Sequence, residues 1–581
     1  MKEIALKVYK FDELSKDSQE KIIERERWNV MRQRMYAYSI DYQGSMKTFE
    51  DMTDTMVYNW EVGYERYDFS YEFKYNDPIY EHPTDYNRDI FPKNLCGKLL
   101  FRYINNNIMP HITKGKCYSI GKYIDGKYQL FYLKGWKNPR EEGVVHGWHR
   151  MESTDLVHMS EEVPIHVQGG TGDLIFHDGK WHLFACIFPD GKQFVTHYVS
   201  RDGSLDHWDY LEEDTFGPDG NIYQGPDWRD PRIVYREELQ EYWMFLAARA
   251  NDTHSQTGCV GLCVSKDLKH WEYREPVYYP RRFNGACECP DVFRMGDWYY
   301  LVFSGYTNLF GNYYIKCRAG ESEWRIPDNH RLDARAFYAA KTAGNEKERY
   351  LFGWNPTKEE NLFGSWPDEM KAQDYRTWDW GGEMVIHQLV QLPDGDLGLT
   401  LPKGKRELFV TPIANCFIPV TDGWKEQDGG FAAVKTAEQQ MMLMQQLPER
   451  YRICVKLKVQ GAQQAGVILH VKKEMKEGYY LYVEPNKKRL VMRSWIRMSE
   501  EGGKTFPYDV EMETPVRYGE DGRYHLEIIA EGNIGTAYVN EEAALSFRMY
   551  DLEDGNLGLF SFGKAIFESV TMSTERKENE E

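Results

Sequence analysis

A repeated unit between residues 114 and 354 restricts the possible folds of this chain more than any other feature. In each copy a strand pattern leads through a short polar turn into an aromatic-rich strand, as in antiparallel hairpins. The five turns are Asp125-Gly126, Asp178-Gly179, Glu237-Glu238, Gly296-Asp297 and Asn345-Glu346. Successive turns are roughly 50–60 residues apart, which suits one four-stranded propeller blade per copy. The sequence therefore predicts a five-bladed β-propeller.

The regions on either side of the repeats have different patterns. Residues 1–111 combine a short helical pattern with a Tyr- and Asp-rich stretch, which indicates a small α-containing N-terminal extension of unknown role. The repeats predict a propeller domain over residues 112–395. Residues 406–573 alternate short strands with turns and predict a C-terminal β-sandwich. Residues 574–581 form a charged tail, so the expected fold class is all-β.

Composition narrows the choice of ligand. The formal charge of −19 argues against nucleic-acid binding, which depends on Lys and Arg neutralising phosphates. Aromatic residues make up 15% of the chain and suit a neutral ligand such as a sugar. The ten cysteines follow no disulfide or zinc spacing, so no metal and no cofactor are expected. No signal-peptide pattern and no run of ~18 apolar residues was found, so a cytoplasmic location is expected, without a membrane partner. The oligomeric state is left open.

Two acidic residues occupy equivalent places in successive repeats. Asp230 lies in Trp-Arg-Asp-Pro and Glu288 in Cys-Glu-Cys-Pro, each directly before an apolar strand and its hairpin turn. Equivalent strand ends of a propeller converge on one site, so the two carboxyl groups are expected to lie together. Paired carboxylates are the groups that glycoside hydrolysis needs.

These motifs, in register with five repeats and followed by a β-sandwich, resemble glycoside hydrolase family 32, the invertases, inulinases and levanases. The resemblance covers about residues 114–572. It implies that Asp230 stabilises the transition state beside Arg229 and that Glu288 is the general acid/base. Cys289 follows Glu288 in the segment that is similar to the family's third motif, and the segments containing Tyr338 and Trp354 are similar to its fifth-blade motif. The resemblance implies that the side chains of Arg229, Cys289, Tyr338 and Trp354 bind substrate.

The chain departs from this family at the nucleophile. The family has an Asp at the start of the first blade. The equivalent segment of this chain contains no carboxylate, and Lys116 or Cys117 is the residue nearest to the expected position of the nucleophile. In the second repeat, Asp173 occupies a place where the family usually has a small residue. Asp173 is therefore a candidate replacement catalytic carboxylate, with a turn-supporting Asp as the alternative. Trp148 is a candidate sugar platform or, alternatively, a blade-core residue.

Three functions remain open on these grounds. The first is hydrolysis of a small β-fructoside of the sucrose or fructo-oligosaccharide type. The second is a catalytically inactive propeller that binds sugar after losing its nucleophile. The third is a fructosyltransferase or difructose-anhydride enzyme, which only its products would distinguish.

Overall fold

The computed structural model describes most of the chain from residue 117 onward and a short segment before it. The described residues are 56–63, 66–72, 117–134, 147–167, 169–189, 192–251, 258–280, 285–306, 311–321, 323–345, 347–356, 382–414, 416–472, 477–495, 510–549, 552 and 554–576. The chain divides into two compact units, Met1–His111 with Leu362–Ser365, and Ile112–Asn361 with Trp366–Glu581. In the first unit, β1 (Met56–Gly63) pairs with β2 (Arg66–Glu72) in an antiparallel hairpin. The helix predicted for the N-terminal extension lies outside the described residues.

The second unit begins with five four-stranded antiparallel sheets, so the predicted five-bladed propeller is confirmed. Blade I contains β3 (Cys117–Ile124), β4 (Lys127–Lys134), β5 (Gly147–Ser153) and β6 (Val163–Pro164). Blade II contains β7 (Gly172–His177), β8 (Lys180–Ile187), β9 (Phe194–Ser200) and β10 (Trp208–Phe216). Blade III contains β11 (Tyr223–Arg236), β12 (Glu241–Ala250), β13 (Gly258–Ser265) and β14 (Glu272–Tyr278). Blade IV contains β15 (Ala286–Met295), β16 (Trp298–Tyr306), β17 (Gly311–Arg318) and β18 (Arg331–Leu332). Blade V contains β19 (Tyr338–Gly344), β20 (Arg349–Pro356), β21 (Gly382–Gln391) and β22 (Leu397–Thr400).

The first hairpin of blades I and II follows directly from its Asp-Gly sequence. Asp125 and Gly126 have φ values of 49° and 84°, and Asp178 and Gly179 have 47° and 77°. Two successive positive φ values define a type I′ turn, which Asp and Gly adopt at low cost and which matches the twist of paired strands. The turn residues thus fix the register of these hairpins.

The first strands of blades III, IV and V share one irregularity. In each of them two residues lie opposite a single residue of the neighbouring strand, which is a β-bulge. Asp230, Cys289 and Ala339 occupy the bulges with φ values of 57°, 49° and 54°. A non-glycine residue in the left-handed region is held there by its surroundings. The bulges therefore turn equivalent side chains of three blades in the same way.

The propeller ring closes through side chains between blades I and V. The Tyr128 hydroxyl donates to Glu348 Oε1 at 3.0 Å and the Tyr350 hydroxyl to Glu348 Oε2 at 3.1 Å. The two tyrosine rings also meet edge to face, with centroids 5.4 Å apart.

All four strands of each blade are consecutive in sequence. Among the described residues, β1 and β2 pair only with each other.

The remaining strands form two antiparallel sheets that pack as a β-sandwich, as predicted. A short helix, α1 (Lys403–Leu408), leads into them, and two single 3₁₀ turns cover Pro485–Lys487 and Glu520–Gly522. One sheet has the order β25 (Trp424–Gln427), β26 (Gly430–Ala433), β37 (Ala565–Thr574), β28 (Arg450–Val459), β33 (Arg523–Glu531), β34 (Ile534–Val539) and β35 (Ala543–Arg548), with β23 (Thr411–Ile413) also on β37. The other has the order β24 (Ile418–Pro419), β27 (Gln439–Gln446), β36 (Asn556–Phe562), β29 (Gln464–Val471), β30 (Gly478–Glu484), β31 (Arg489–Trp495) and β32 (Val510–Pro515).

Alternation along the strands explains the sandwich core. In β28 every second residue, from Tyr451 to Val459, is buried while the residues between them are less buried or exposed, as a half-buried strand requires. The core of blade V continues into the sandwich, because Leu351 and Leu389 share one apolar cluster with Tyr538 and Ala544. The sandwich is thus packed directly on the last blade. No helix in the described part of the chain is long and apolar enough to cross a membrane.

Candidate active site

Asp230 and Glu288 lie on either side of one guanidinium group. Arg229 Nη2 is 2.7 Å from Glu288 Oε1, and Arg229 Nε is 3.8 Å from Asp230 Oδ2. The bulges of β11 and β15 place the two acidic residues on neighbouring inner strands. The structure therefore brings together the three motif residues that the sequence singled out.

The Asp230 carboxylate is fixed by the two neighbouring blades. Its Oδ1 accepts a hydrogen bond from the Thr171 hydroxyl of blade II. Its Oδ2 accepts the backbone N–H of Cys289, in blade IV, at 2.9 Å. The side chain is only 3% exposed. These hydrogen bonds consequently hold the Asp230 carboxylate in one orientation. Cys289 contacts it through its backbone amide, and Cys289 Sγ lies 3.7 Å from the same oxygen.

The Glu288 carboxyl group lies between Arg229 and a tyrosine of blade V. The Tyr338 hydroxyl donates to Glu288 Oε2 at 2.7 Å. Burial raises the pKa of Glu288 above its ordinary value, and the nearby Asp230 charge adds to that rise, while Arg229 and Tyr338 oppose it. A carboxyl group with a raised pKa keeps its proton at higher pH and can donate it.

Arg229 is held in turn by residues that the sequence did not single out. Its Nη1 donates to Asp227 and, at 3.2 Å, to Gln193 Oε1. Asp227 also pairs with Arg249, whose Nε is 2.5 Å from its Oδ2. Burial opposes ionisation of Asp227, but Arg229 and Arg249 hold its pKa below the ordinary value. The only sequence signal for Asp227 was its place two residues before Arg229.

Asp173 belongs to a second group of charges. Its carboxylate lies 2.9 Å from Lys122 Nζ and 3.3 Å from Arg232 Nη1, and it accepts the Ile233 N–H at 2.9 Å. Burial opposes ionisation, but Lys122 and Arg232 hold the pKa of Asp173 below its ordinary value. These described partners differ from those of Glu288. Residue Thr171, rather than Asp173, contacts Asp230 from blade II.

The second group extends across the inner strands of the propeller. Arg232 Nε also lies 2.8 Å from Asp291 Oδ1. Lys341 of blade V donates to the carbonyl oxygens of Gly172 and Pro231 at 3.0 and 3.2 Å. Cations and carboxylates thus alternate from blade to blade next to Asp230 and Glu288. In this arrangement the Asp173 carboxylate lies between two cations, Lys122 and Arg232.

The remaining predicted substrate residues have different surroundings. Trp148 is 1% exposed and packs in the core between blades I and II with Phe131 and Leu174, so the expectation of a sugar platform is corrected to the blade-core alternative. Trp354, also 1% exposed, packs against Tyr338 with ring centroids 5.3 Å apart. A contribution of Trp354 to substrate binding therefore stays a prediction. Lys116 and the Cys117 side chain lie outside the described part. Among the described residues, no group of three or more His, Cys, Asp or Glu side chains is arranged to hold a metal ion.

A five-bladed propeller with two inner-strand carboxylates around one arginine, followed by a β-sandwich, defines a carbohydrate-active class of protein. Residues 121–394 match the family model described as "Glycosyl hydrolases family 32 N-terminal domain". Residues 121–394 are therefore assigned to the N-terminal domain of glycoside hydrolase family 32.

Individual relatives are distant. A levanbiose-producing levanase of Bacillus subtilis is 26% identical over 195 residues, covering 30% of this chain and 34% of the levanase. A sucrose-6-phosphate hydrolase of Zymomonas mobilis is 26% identical over 322 residues, covering 48% of this chain and 57% of that enzyme. The chain thus matches about a third to a little over half the length of these relatives. The crystal structure of an exo-inulinase from Aspergillus awamori aligns with a TM-score of 0.58 and 13% identity, covering 81% of this chain and 97% of the inulinase, which shows a shared fold.

Proposed function

We propose that this chain hydrolyses small β-fructosides of the sucrose or fructo-oligosaccharide type. The observation that carries this proposal is the buried Glu288 carboxyl group, which has a raised pKa and lies next to Asp230 around Arg229. The match of residues 121–394 to family 32 and relatives named as a levanase and a sucrose-6-phosphate hydrolase support the substrate class.

In this proposal Glu288 protonates the glycosidic oxygen as its bond to the anomeric carbon breaks. The departing alcohol leaves with that proton, and positive charge develops on the fructosyl ring. The Asp230 carboxylate, fixed by Thr171 and the Cys289 amide, accepts hydrogen bonds from ring hydroxyls and stabilises that charge. The Glu288 carboxylate then takes a proton from the incoming water as the water oxygen bonds to the anomeric carbon, which releases fructose and restores the protonated acid.

Arg229 has two effects on this chemistry. Its positive charge keeps Asp230 and Glu288 together in a buried space, where their repulsion would otherwise be costly. It also stabilises the Glu288 carboxylate that forms after proton donation. Arg229 is therefore proposed to orient the acid and to contribute to fructosyl binding.

A second candidate function is sugar binding without hydrolysis. Its support is specific: residues 112–124, at the start of blade I, contain no Asp or Glu, and the Asp173 carboxylate is committed to Lys122, Arg232 and the Ile233 amide. Retaining hydrolysis needs a carboxylate that attacks the anomeric carbon opposite the acid. A propeller without one would still present Asp230 and Arg229 to a fructosyl ring.

Incubation of the full chain with sucrose, inulin oligosaccharides and levan oligosaccharides separates these candidates. We expect released fructose from the wild type and almost none from Glu288→Gln. Calorimetric titration of the same sugars into the variant measures binding alone. Binding by both proteins without any released fructose would favour the second candidate, and absence of both binding and release would overturn both.

A further inference from the structure

We infer that strand β35 (Ala543–Arg548) of the sandwich positions Tyr338 against Glu288, through Ser546 and Arg548. This inference rests on the proposed function, because it gives the sandwich a role in the same site. It makes Ser546 and Arg548 positioning residues, which act on the acid through another side chain. Neither residue belongs to a sequence motif identified above.

The segment that leads into Tyr338 is bound by the sandwich at its start. Asp333, which follows β18, accepts the Ser546 N–H on Oδ1 at 2.7 Å and the Ser546 hydroxyl on Oδ2 at 2.6 Å. His387 Nε2 is 2.9 Å from Asp333 Oδ2, so blade V contributes to the same anchor. Asp333 is 1% exposed and Ser546 is fully buried. The anchor is therefore protected from exchange with water.

A second link lies closer to the tyrosine. Arg548 donates from Nε to Asn355 Oδ1 at 2.7 Å and from Nη2 to the Asn355 carbonyl at 3.1 Å. The Asn355 side-chain amide then donates to the carbonyl of Ala336 at 2.9 Å. Ala336 is two residues before Tyr338. Arg548 thus orients the asparagine that fixes the backbone beside the tyrosine.

The backbone around Tyr338 needs such support. Asp333 has a φ of 64° and Ala339 a φ of 54°, so left-handed residues stand on both sides of the segment. Non-glycine residues adopt this conformation only where the surrounding structure holds them. Asn312 of blade IV also binds the Phe337 carbonyl at 2.6 Å. The Tyr338 hydroxyl is consequently aimed by blades IV and V together with the sandwich.

The pH dependence of turnover provides the test, because Tyr338 stabilises the ionised form of Glu288. The charged and titratable groups facing Glu288 are Arg229 and Asp230 of β11, Tyr338 of β19 and the neighbouring Cys287 of its own strand, whose pKa burial raises well above its ordinary value. Loss of the Tyr338 hydrogen bond should raise the pKa at which the acid loses its proton. Tyr338→Phe is therefore expected to move the alkaline limb of kcat/KM upward by about one pH unit.

Arg548→Met should move that limb in the same direction, and Tyr338→Phe/Arg548→Met no further than Tyr338→Phe alone. Arg406→Met is the matched control, since Arg406 pairs with Glu527 of the sandwich and has no described contact with residues 333–340. An unshifted profile in Arg548→Met, or a double variant that shifts by the sum of both, would overturn the inference. If Arg548→Met folds poorly, Ser546→Ala provides a less disruptive test of the same inference, because it removes only one hydroxyl group.

Hydrogen–deuterium exchange tests the link between Arg548 and the segment around Tyr338 without requiring turnover. Arg548→Met should speed amide exchange across residues 334–342 several-fold more than Arg406→Met does. If no fructoside is hydrolysed, the proposed function fails, but the exchange rates of the two variants can still be compared. Equal exchange of the segment in both variants would overturn the positioning role even in an active enzyme.

Discussion

Tyr338 and Glu288 lie on the inner strands of neighbouring blades, and the tyrosine hydroxyl donates a 2.7 Å hydrogen bond to Oε2 of the glutamate. Arg229 holds the other oxygen, Oε1, at the same distance. Burial of the carboxyl group favours its protonated form, whereas these two donors favour the ionised form. Under the proposed function, these opposing effects let the Glu288 carboxyl group visit both states that a proton donor needs in each cycle.

Substitution of Tyr338 tests this balance. Tyr338→Phe should extend activity to higher pH, because Glu288 without this donor stays protonated longer, and the rate at low pH should fall only modestly. Profiles of kcat/KM against pH measure the shift. Tyr350→Phe is the control, since Tyr350 also donates to a glutamate of blade V, Glu348, away from the site; an identical shift in both variants would contradict the assignment.

Glu288→Gln should remove nearly all turnover and leave the fold intact. Glutamine keeps the shape and can still bond to Arg229 or Tyr338, but it cannot exchange a proton, a step that typically contributes ~10²–10⁴-fold. Initial rates and thermal unfolding measure the two effects. Glu484→Gln is the matched control, because Glu484 is another buried glutamate paired with an arginine, Arg489, and lies in the sandwich. Near-normal rates in Glu288→Gln would place the acid elsewhere.

Local sequence signals were sufficient for the blades and for the acid pair. Asp-Gly turns at 125–126 and 178–179 adopt the conformation that their residue types favour, and aromatic strands follow them. Asp230 and Glu288 were found because each lies directly before the apolar strand of its repeat, although the structure makes Asp230 equivalent to Cys289 and places Glu288 one residue earlier, level with Arg229. Their side chains converge because β11 and β15 carry the same bulge. In these places local preference and global packing agree.

Contacts between blades could not be predicted from such local sequence signals. Asp173 resembles Asp230 in preceding an apolar strand, yet β7 pairs with β8 without a bulge from Gly172 onward, so its carboxylate meets Lys122 instead. Trp148 has the aromatic character of a sugar platform but packs in the core. Tyr338 reaches Glu288 across 50 residues of sequence. Each outcome depends on how separate strands pack, which no local pattern encodes.

Removal of Arg229 should destabilise the protein in a pH-dependent way. Without this cation the pKa values of Asp227 and Glu288 rise in the folded state, while those of the unfolded chain stay near 4. The folded variant then takes up protons that the unfolded chain does not, so its stability increases as the pH falls. Arg229→Met should therefore lose more unfolding free energy at pH 8 than at pH 5. Denaturant titrations at both values measure it, and an equal loss at both would contradict the electrostatic role.

Deletion of residues 1–111 should leave a soluble, cooperatively folding protein. Every described strand of the propeller lies between Cys117 and Thr400, and the ring closes through Tyr128, Glu348 and Tyr350 within that range. Size-exclusion chromatography and thermal unfolding of the truncated chain test this expectation. Aggregation would show that the removed segment covers an apolar surface of the remaining protein.

The Lys122–Asp173 pair decides between the two views of Asp173. Asp173→Asn should cost about 3 kcal/mol of stability, because it leaves Lys122 and Arg232 partly buried with one counter-charge fewer. Lys122→Met/Asp173→Asn should recover much of that loss, since Arg232 keeps Asp291 as its partner. If Asp173 is a counter-charge, the double variant should turn over fructosides within a few-fold of the wild type, and this is the result we expect. Rates measured per folded molecule separate stability from chemistry. A folded double variant without turnover would instead make Asp173 the replacement for the missing nucleophile, as its place at the start of the second blade first suggested.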